Sequence, residues 1–351
     1  MHPFSERLSS LTAWEPPKNW LQITAIDAHT GGEPLRVITG GYLEIKGNTI
    51  LERRAYLKTH LDSLRKALMW EPRGHADMYG CIITEPVTED ADFGVIFLHN
   101  EGYSSMCGHG IIAVTKVALE LGLIEIKEPV TTLRIDAPAG LITAYARVEN
   151  RRVISVKFQN VPSFVLYRDQ DIHVPGMGNV RLDVVYGGAF YAYVNADDLG
   201  IGMTAADYRL LIEKGMAIKK AVMDTLPIVH PFEEDLSFLY GTIFYGKGHT
   251  PGTDSRNVCI FADGEVDRSP TGTGVSGRVA LHHARGELAL GQPMVIESIV
   301  GSRFVASAQA VTTFGPHSAI IPEVEGNAHI CGKNTFLLDP EDELGKGFFL
   351  R

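Results

Sequence analysis

Apolar and polar residues alternate in short runs along much of this chain, as they do in half-buried strands whose successive side chains face opposite ways. The pattern predicts strands at 22–27, 35–39, 81–84, 91–98, 131–135, 141–148 and 153–161. The last two are separated by RVENRRV, which reads as a hairpin with Glu149-Asn150 in the turn. Apolar positions spaced three and four apart are rarer and predict helices at 60–68, 111–121, 204–219 and 275–285. Strands outnumber helices, and the strict strand–helix alternation of a doubly wound sheet is missing. Residues 1–20 hold three prolines and two tryptophans with little periodicity, and read as an extension packed on the surface.

One pattern occurs twice. SMCGHGIIAVT begins at Ser105, and SPTGTGVSGRV begins at Ser269, 164 residues later. At that offset Ser105 meets Ser269, Gly108 meets Gly272, Gly110 meets Gly274 and Gly122 meets Gly286. Each copy is a glycine turn, then an apolar helix, then a glycine where the helix should stop. The implied picture is two similar halves, each presenting one glycine turn at one helix N-terminus.

Length and composition narrow the field. A chain of 351 residues suggests two domains, at ~100–200 residues each. Apolar residues make up 45% and charged residues 21%, enough to build real cores. The net charge is −10 and no Lys/Arg cluster exceeds a pair, which argues against nucleic-acid binding. The N-terminal residues lack the apolar stretch of a secretory signal, and no run approaches the ~20 apolar residues of a membrane span. A soluble cytoplasmic protein is the default expectation. Four cysteines, Cys81, Cys107, Cys259 and Cys331, lie far apart without C-x-x-C spacing, which excludes a zinc ribbon and gives no sign of a disulfide framework. Cys81, Cys259 and Cys331 are expected to be buried small hydrophobes. Cys107, between glycines, stands apart.

Helix N-termini with free amides and a favourable dipole bind anions, and glycine lets a ligand approach the backbone. Two such turns facing each other can clasp one carboxylate. A cysteine in the first turn feels the same field, which favours its thiolate relative to the free-thiol reference near ~8.5. Cys107 is then a base beside a bound carboxylate, and proton abstraction alpha to that carboxylate is the chemistry suggested. The bland alternative is a buried structural thiol. His109 can be a second acid/base, a metal ligand or a cap. Asp267 can bind a substrate ammonium, or be a turn aspartate paired with Arg268. Thr271, at the place equivalent to Cys107, is too weak an acid to serve as a base and reads as an N-cap. Gly272-Thr-Gly274-Val-Ser-Gly277 fits G-x-G-x-x-G with Glu297 downstream, yet a polar, proline-containing stretch separates these glycines from the nearest strand, so a dinucleotide site fails on context.

These residues resemble the proline racemase family, which includes 4-hydroxyproline epimerases and trans-3-hydroxy-L-proline dehydratases. The resemblance covers nearly the whole chain. It rests on DAHTGGEP from Asp27, RGHADMYG from Arg73, MCGHG from Met106, YGG from Tyr186, DRSPTGTG from Asp267 and the region from Gly332 to Asp339. It implies an α/β, diaminopimelate-epimerase-like fold: two pseudo-symmetric halves, each a curled, mostly antiparallel sheet around a central helix, with the site in the cleft between them. The expected limits are an extension at 1–20, a first half at 21–139 plus 328–351 carrying Cys107, and a second half at 140–327 carrying Asp267 and Thr271. It also implies a cofactor-independent, metal-free enzyme acting on a small imino acid. Cys107 matches the first catalytic cysteine. Gly108, His109, Gly272 and Thr273 match the substrate-carboxylate site, and Asp267 matches the residue that binds the ring nitrogen. The family's second thiol is replaced by Thr271, which puts two-base racemisation in doubt and resembles the dehydratases. A 4-hydroxyproline epimerase, a proline racemase and a non-catalytic imino-acid-binding protein are the rival readings. Oligomeric state is not legible, and a homodimer is expected only because it is common.

Overall fold

The computed structural model describes residues 3–350. A short helix α1 (Pro3–Ser10) opens the chain, and Trp14 meets Trp20 edge-on with ring centroids 6.0 Å apart. Phe4, Leu8, Leu11 and Trp14 remain exposed.

Two matching sets of elements follow. The first is β1 (Leu21–Thr30), β2 (Glu33–Gly40), α2 (Ile50–His60), α3 (Asp62–Met69), β3 (Tyr79–Thr84), β4 (Phe93–His99), α4 (Gly108–Glu120), β5 (Val130–Ala137), β6 (Gly140–Glu149), β7 (Arg152–Gln159) and β8 (Phe164–Val174). The second is β9 (Gly178–Tyr186), β10 (Phe190–Asn195), α5 (Tyr208–Thr225), β11 (Leu239–Gly246), β12 (Ser255–Phe261), β13 (Glu265–Val266), α6 (Gly272–Ala284), β14 (Met294–Glu297), β15 (Arg303–Phe314), β16 (His317–Gly326) and β17 (Ala328–Leu338).

The sense of strand pairing repeats as well. From β1 to β7 the neighbours run antiparallel, parallel, antiparallel, parallel, antiparallel, antiparallel. From β9 through β10, β11, β12, β14 and β15 to β16 the same series recurs. Each set's last strand crosses over: β8 pairs with β9, and β17 pairs with β1. A β7–β16 seam joins the two sheets, so all 17 strands form one mixed sheet. The parallel steps fall where a helix carries the chain across, as a parallel pair requires.

Within each curl lies one helix. α4 touches β1, β2, β6, β7 and β17, and α6 touches β8, β9, β15 and β16. Both are buried around most of their circumference, which explains why GHGIIAVTKVALE and GTGVSGRVALHHA carry little charge. This is the pseudo-symmetric α/β arrangement that the repeat in the sequence implies.

Several local expectations need correction. The β6–β7 turn is Asn150-Arg151, not Glu149-Asn150; both turn residues have positive φ (52° and 58°), the type I′ geometry that suits a twisted two-residue hairpin. The helix expected at 60–68 is α3, at Asp62–Met69, and a further helix, α2, precedes it with the break at Leu61. α2 was hidden because only Ile50 and Leu57 are buried, although Thr49 and Glu52 form a capping signal: Thr49 Oγ1 accepts the Glu52 amide at 3.1 Å and Glu52 Oε2 accepts the Asn48 amide at 2.7 Å. Cys331 is exposed rather than buried, because a bulge at Asp27/Ala28 leaves it without an opposite residue; its Sγ donates to Asp27 O at 3.4 Å. No helix among the described residues is long and apolar enough to cross a membrane.

Candidate active site

The N-termini of α4 and α6 meet head to head. A Cβ added to Gly108 would sit 2.5 Å from Gly272 Cα, and one added to Gly272 would sit 2.6 Å from Gly108 Cα. Only glycine permits this approach. By helix geometry the first amides of both helices lack intrahelical partners, so the two dipoles aim their positive ends at one small volume.

The other motifs brace these turns. Thr30 Oγ1 donates to His109 O (2.8 Å), and Ser105 Oγ donates to Gly188 O (2.8 Å). Asn160 Nδ2 donates to Gly187 O (2.7 Å) and to Ser276 Oγ (3.0 Å). Tyr193 OH donates to Gly274 O (2.8 Å), and the Tyr191 and Thr273 hydroxyls lie 2.8 Å apart. Gly187 and Gly188 are needed as glycines since the Thr273 carbonyl and Met106 crowd where their side chains would be.

Cys107 is the N-cap of α4, and its Sγ accepts the Gly110 amide at 3.2 Å. The same sulfur lies 3.2 Å from His109 Nδ1, while His109 Nε2 lies 3.2 Å from Pro34 O. A carbonyl only accepts, so Nε2 carries hydrogen and Nδ1 is free to accept from the thiol. Burial pushes His109 below its ordinary range, which keeps the imidazole neutral. Burial also pushes the Cys107 thiol well up; the Gly110 amide and Tyr79 pull it down, but Asp267 adds to the rise. The expectation that the helix field favours the thiolate is therefore corrected: desolvation, helped by the Asp267 carboxyl, outweighs that field.

Thr271 occupies the matching place before α6, but its backbone is in the left-handed region (φ 67°) and its side chain makes no capping bond. The N-cap reading thus holds for position and not for hydrogen bonding. A β-branched residue is strained there. Its side chain faces the cavity beside Cys259. Asp267 is buried, and its Oδ1 accepts the Ser269 amide at 2.7 Å. Arg268 does not pair with it; Arg268 Nη1 sits 2.6 Å from Asp77 Oδ2 instead.

Cys107, Gly108, His109, Asp267, Thr271, Gly272 and Thr273 all line one cavity of about 20 Å³, completed by Tyr79, Met106, Tyr191, Tyr240, Cys259 and Phe261. That volume holds about one water, so a ring-sized substrate needs a wider site than this conformation offers. Sequence reasoning missed the aromatic wall and the position of Cys259. Tyr79 belongs to the RGHADMYG motif, its ring meets the His109 ring edge-on with centroids 4.8 Å apart, and its hydroxyl lies 2.5 Å from Ser104 Oγ. Tyr240 and Cys259 sit in strands whose apolar runs carry no signal of a site.

The dinucleotide alternative has no room. Gly272 abuts Gly108, and Glu297 is engaged in structure, with Oε1 accepting from Arg256 Nε (3.1 Å), from the Thr250 amide (3.2 Å) and from the His249 amide. Among the described residues no group of three or more His, Cys, Asp or Glu is arranged to hold a metal ion.

Comparison with known proteins agrees with this architecture. The family model described as proline racemase matches residues 25–349. A protein of Colwellia psychrerythraea named trans-3-hydroxy-L-proline dehydratase is 50% identical over 341 residues, covering 96% of either chain. A protein of Burkholderia multivorans named 3-hydroxyproline 2-epimerase is 46% identical over 329 residues, covering 94% of this chain and 98% of its own. The crystal structure of a hydroxyproline epimerase from Agrobacterium vitis with bound trans-4-hydroxy-L-proline is 34% identical, with a TM-score of 0.88 over 94% of this chain and 96% of that one. On the repeat, the fold and these matches, the chain belongs to the proline racemase family.

Proposed function

We propose that this protein is a hydro-lyase that dehydrates trans-3-hydroxy-L-proline without a cofactor. The observation that carries the reading is the pairing of unlike residues across the cavity: a thiol, Cys107, before one helix and a hydroxyl, Thr271, before the other. The dehydratase names of relatives near 50% identity support it.

In this reading the amides of Gly108, His109, Gly272 and Thr273 hold the substrate carboxylate, and Asp267 holds the ring nitrogen. The substrate ammonium offsets the Asp267 charge that opposes Cys107 ionisation, and His109 Nδ1 accepts the thiol proton. The Cys107 thiolate then takes the alpha proton. Its C–H electron pair forms the Cα–Cβ double bond as the C3–O bond breaks, and the departing hydroxide is protonated to water. In trans-3-hydroxyproline the hydroxyl and the alpha hydrogen both lie opposite the carboxylate, on one ring face. Elimination is syn, so the Cys107 thiol just formed can deliver that proton; His109 imidazolium is the competing donor. No acid is needed on the Thr271 face. The enamine product, Δ2-pyrroline-2-carboxylate, tautomerises to the Δ1 imine by gaining a proton at carbon and losing one at nitrogen.

Parallel incubation with trans-3-hydroxy-L-proline, trans-4-hydroxy-L-proline and L-proline tests this. An imine product that reacts with o-aminobenzaldehyde is expected from the first alone. The second reading, a 2-epimerase, is favoured by the Burkholderia multivorans relative; a chiral assay that finds an epimer and no imine would establish it instead.

A further inference from the structure

One fully buried carboxyl plays no part in that mechanism. Glu33 lies at the start of β2, directly after the Gly31-Gly32 turn, with no exposed surface. Its Oε2 accepts the backbone amide of Arg268, across the cleft, at 2.7 Å. Its Oε1 is buried and meets no hydrogen-bond partner among the described residues.

The charges around it leave little to balance an anion. Arg268 is the cation that faces it, but that guanidinium is held at 2.6 Å by the buried Asp77 and donates to Val266 O at 2.7 Å. Tyr208 OH also donates to Asp77, at 3.0 Å. Asp267, adjacent to Arg268, brings a second buried carboxyl to bear on Glu33, and an ionised Glu33 would in turn oppose ionisation of the Cys107 and Cys259 thiols. Two carboxyls in one dry cleft, served by a guanidinium already neutralised, do not both ionise at modest cost. Asp267 lines the cavity and Glu33 does not. Burial and the Asp267 charge hold Glu33 well above the usual carboxylate range.

We propose that Glu33 is a positioning residue that acts as an uncharged carboxylic acid: its Oε2 pins the Arg268 amide, and so the adjoining Asp267, while leaving Asp267 the single anion offered to the substrate nitrogen. The second half of this statement rests on the assignment of Asp267 above; the charge state of Glu33 does not.

Three measurements test it, with E33Q keeping an acceptor and E33L removing one. A carboxyl held protonated by the fold loses folded-state stability as pH rises from the unfolded value of about 4.3 toward its raised native one. E33Q escapes that loss. Its melting temperature should therefore equal or exceed that of the wild type, by a margin that widens between about pH 5 and about pH 8. An E33Q protein that instead falls below the wild type as pH rises would mean an ionised, stabilising Glu33 and would overturn the proposal. Isotope-edited infrared spectra of the wild type should contain a protonated-carboxyl band that E33Q lacks, and absence of the band also overturns it. For positioning, E33Q should keep KM within about threefold, and E33L should raise it about tenfold with a smaller change in kcat. E33L with unchanged KM, or E33Q with KM raised about tenfold, refutes the positioning role. If no substrate is turned over at all, the dehydratase reading fails, yet the melting and infrared results still decide the state of Glu33.

Discussion

Replacing Gly272 by alanine puts the head-to-head contact of the two helices under direct test. Alanine is the better helix former, and at an unconstrained helical site the change stabilises by about 1 kcal/mol. Here the new methyl would lie 2.6 Å from Gly108 Cα, 3.1 Å from Gly108 C and 3.3 Å from Phe158 Cζ. Two of those atoms are backbone and cannot swing aside. The helix ends must separate by roughly 1 Å to restore an ordinary carbon contact of about 3.5–4.0 Å. Overpacking of this kind costs about 1–3 kcal/mol, so the net sign opposes helix propensity. A displacement of ~1 Å at the proposed carboxylate site is expected to cost about 100-fold in rate. Urea unfolding should show the midpoint falling, and dehydration assays should show kcat/KM falling by about two orders of magnitude. Gly102→Ala is the control, since no described residue lies within 4 Å of its added Cβ. A Gly272→Ala protein as stable and as active as the wild type would refute the head-to-head clasp.

Cys107→Ser should lower turnover by at least about a thousandfold while leaving the melting temperature nearly unchanged; substantial retained activity would remove Cys107 as the base. Because burial holds the Cys107 thiol up in the free enzyme, kcat/KM and iodoacetamide labelling should climb with pH toward and beyond about 9, and flat profiles from about pH 6 to 9 would contradict a buried protonated thiol. Thr271→Cys restores a second thiol and should gain detectable epimerisation of proline or 4-hydroxyproline by chiral chromatography; no gain would assign the difference to pocket shape. Glu297→Ala leaves the buried Arg256 unpaired and should cost about 3–5 kcal/mol in denaturant unfolding, whereas a loss near zero would show that the pair is dispensable.

The site was more legible than the strands around it. Cys107, Asp267 and Thr271 sit in glycine turns, where backbone constraints force unusual residues into the sequence, and the two turns repeat at one offset. Nothing comparable marks Tyr240 or Cys259, which lie in all-buried strands where an aromatic or small residue reads only as core. The strands β8 to β10 escaped the alternation test for related reasons: β10 is buried on both faces except at Asn195, and β8 is interrupted by bulges against β9. Glu33 stands in the DAHTGGEP motif as one polar residue among several, and only the three-dimensional contact with Arg268 separates it from a surface glutamate.

The crossing of terminal strands has a consequence for how the chain folds. Leu21 pairs with Leu338, so the first strand of the sheet waits for the last. Loop closure over such a span comes late, and contacts of high sequence separation slow folding. Until β17 is made, β1 has one free edge on a growing chain, the kind of edge that pairs with other molecules. Each half also borrows its closing strand from the other, so a cut between β8 and β9 leaves each fragment one closing strand short and with one strand to spare. Separately expressed halves should therefore be poorly soluble alone and recover when mixed, by exchange of the two strands.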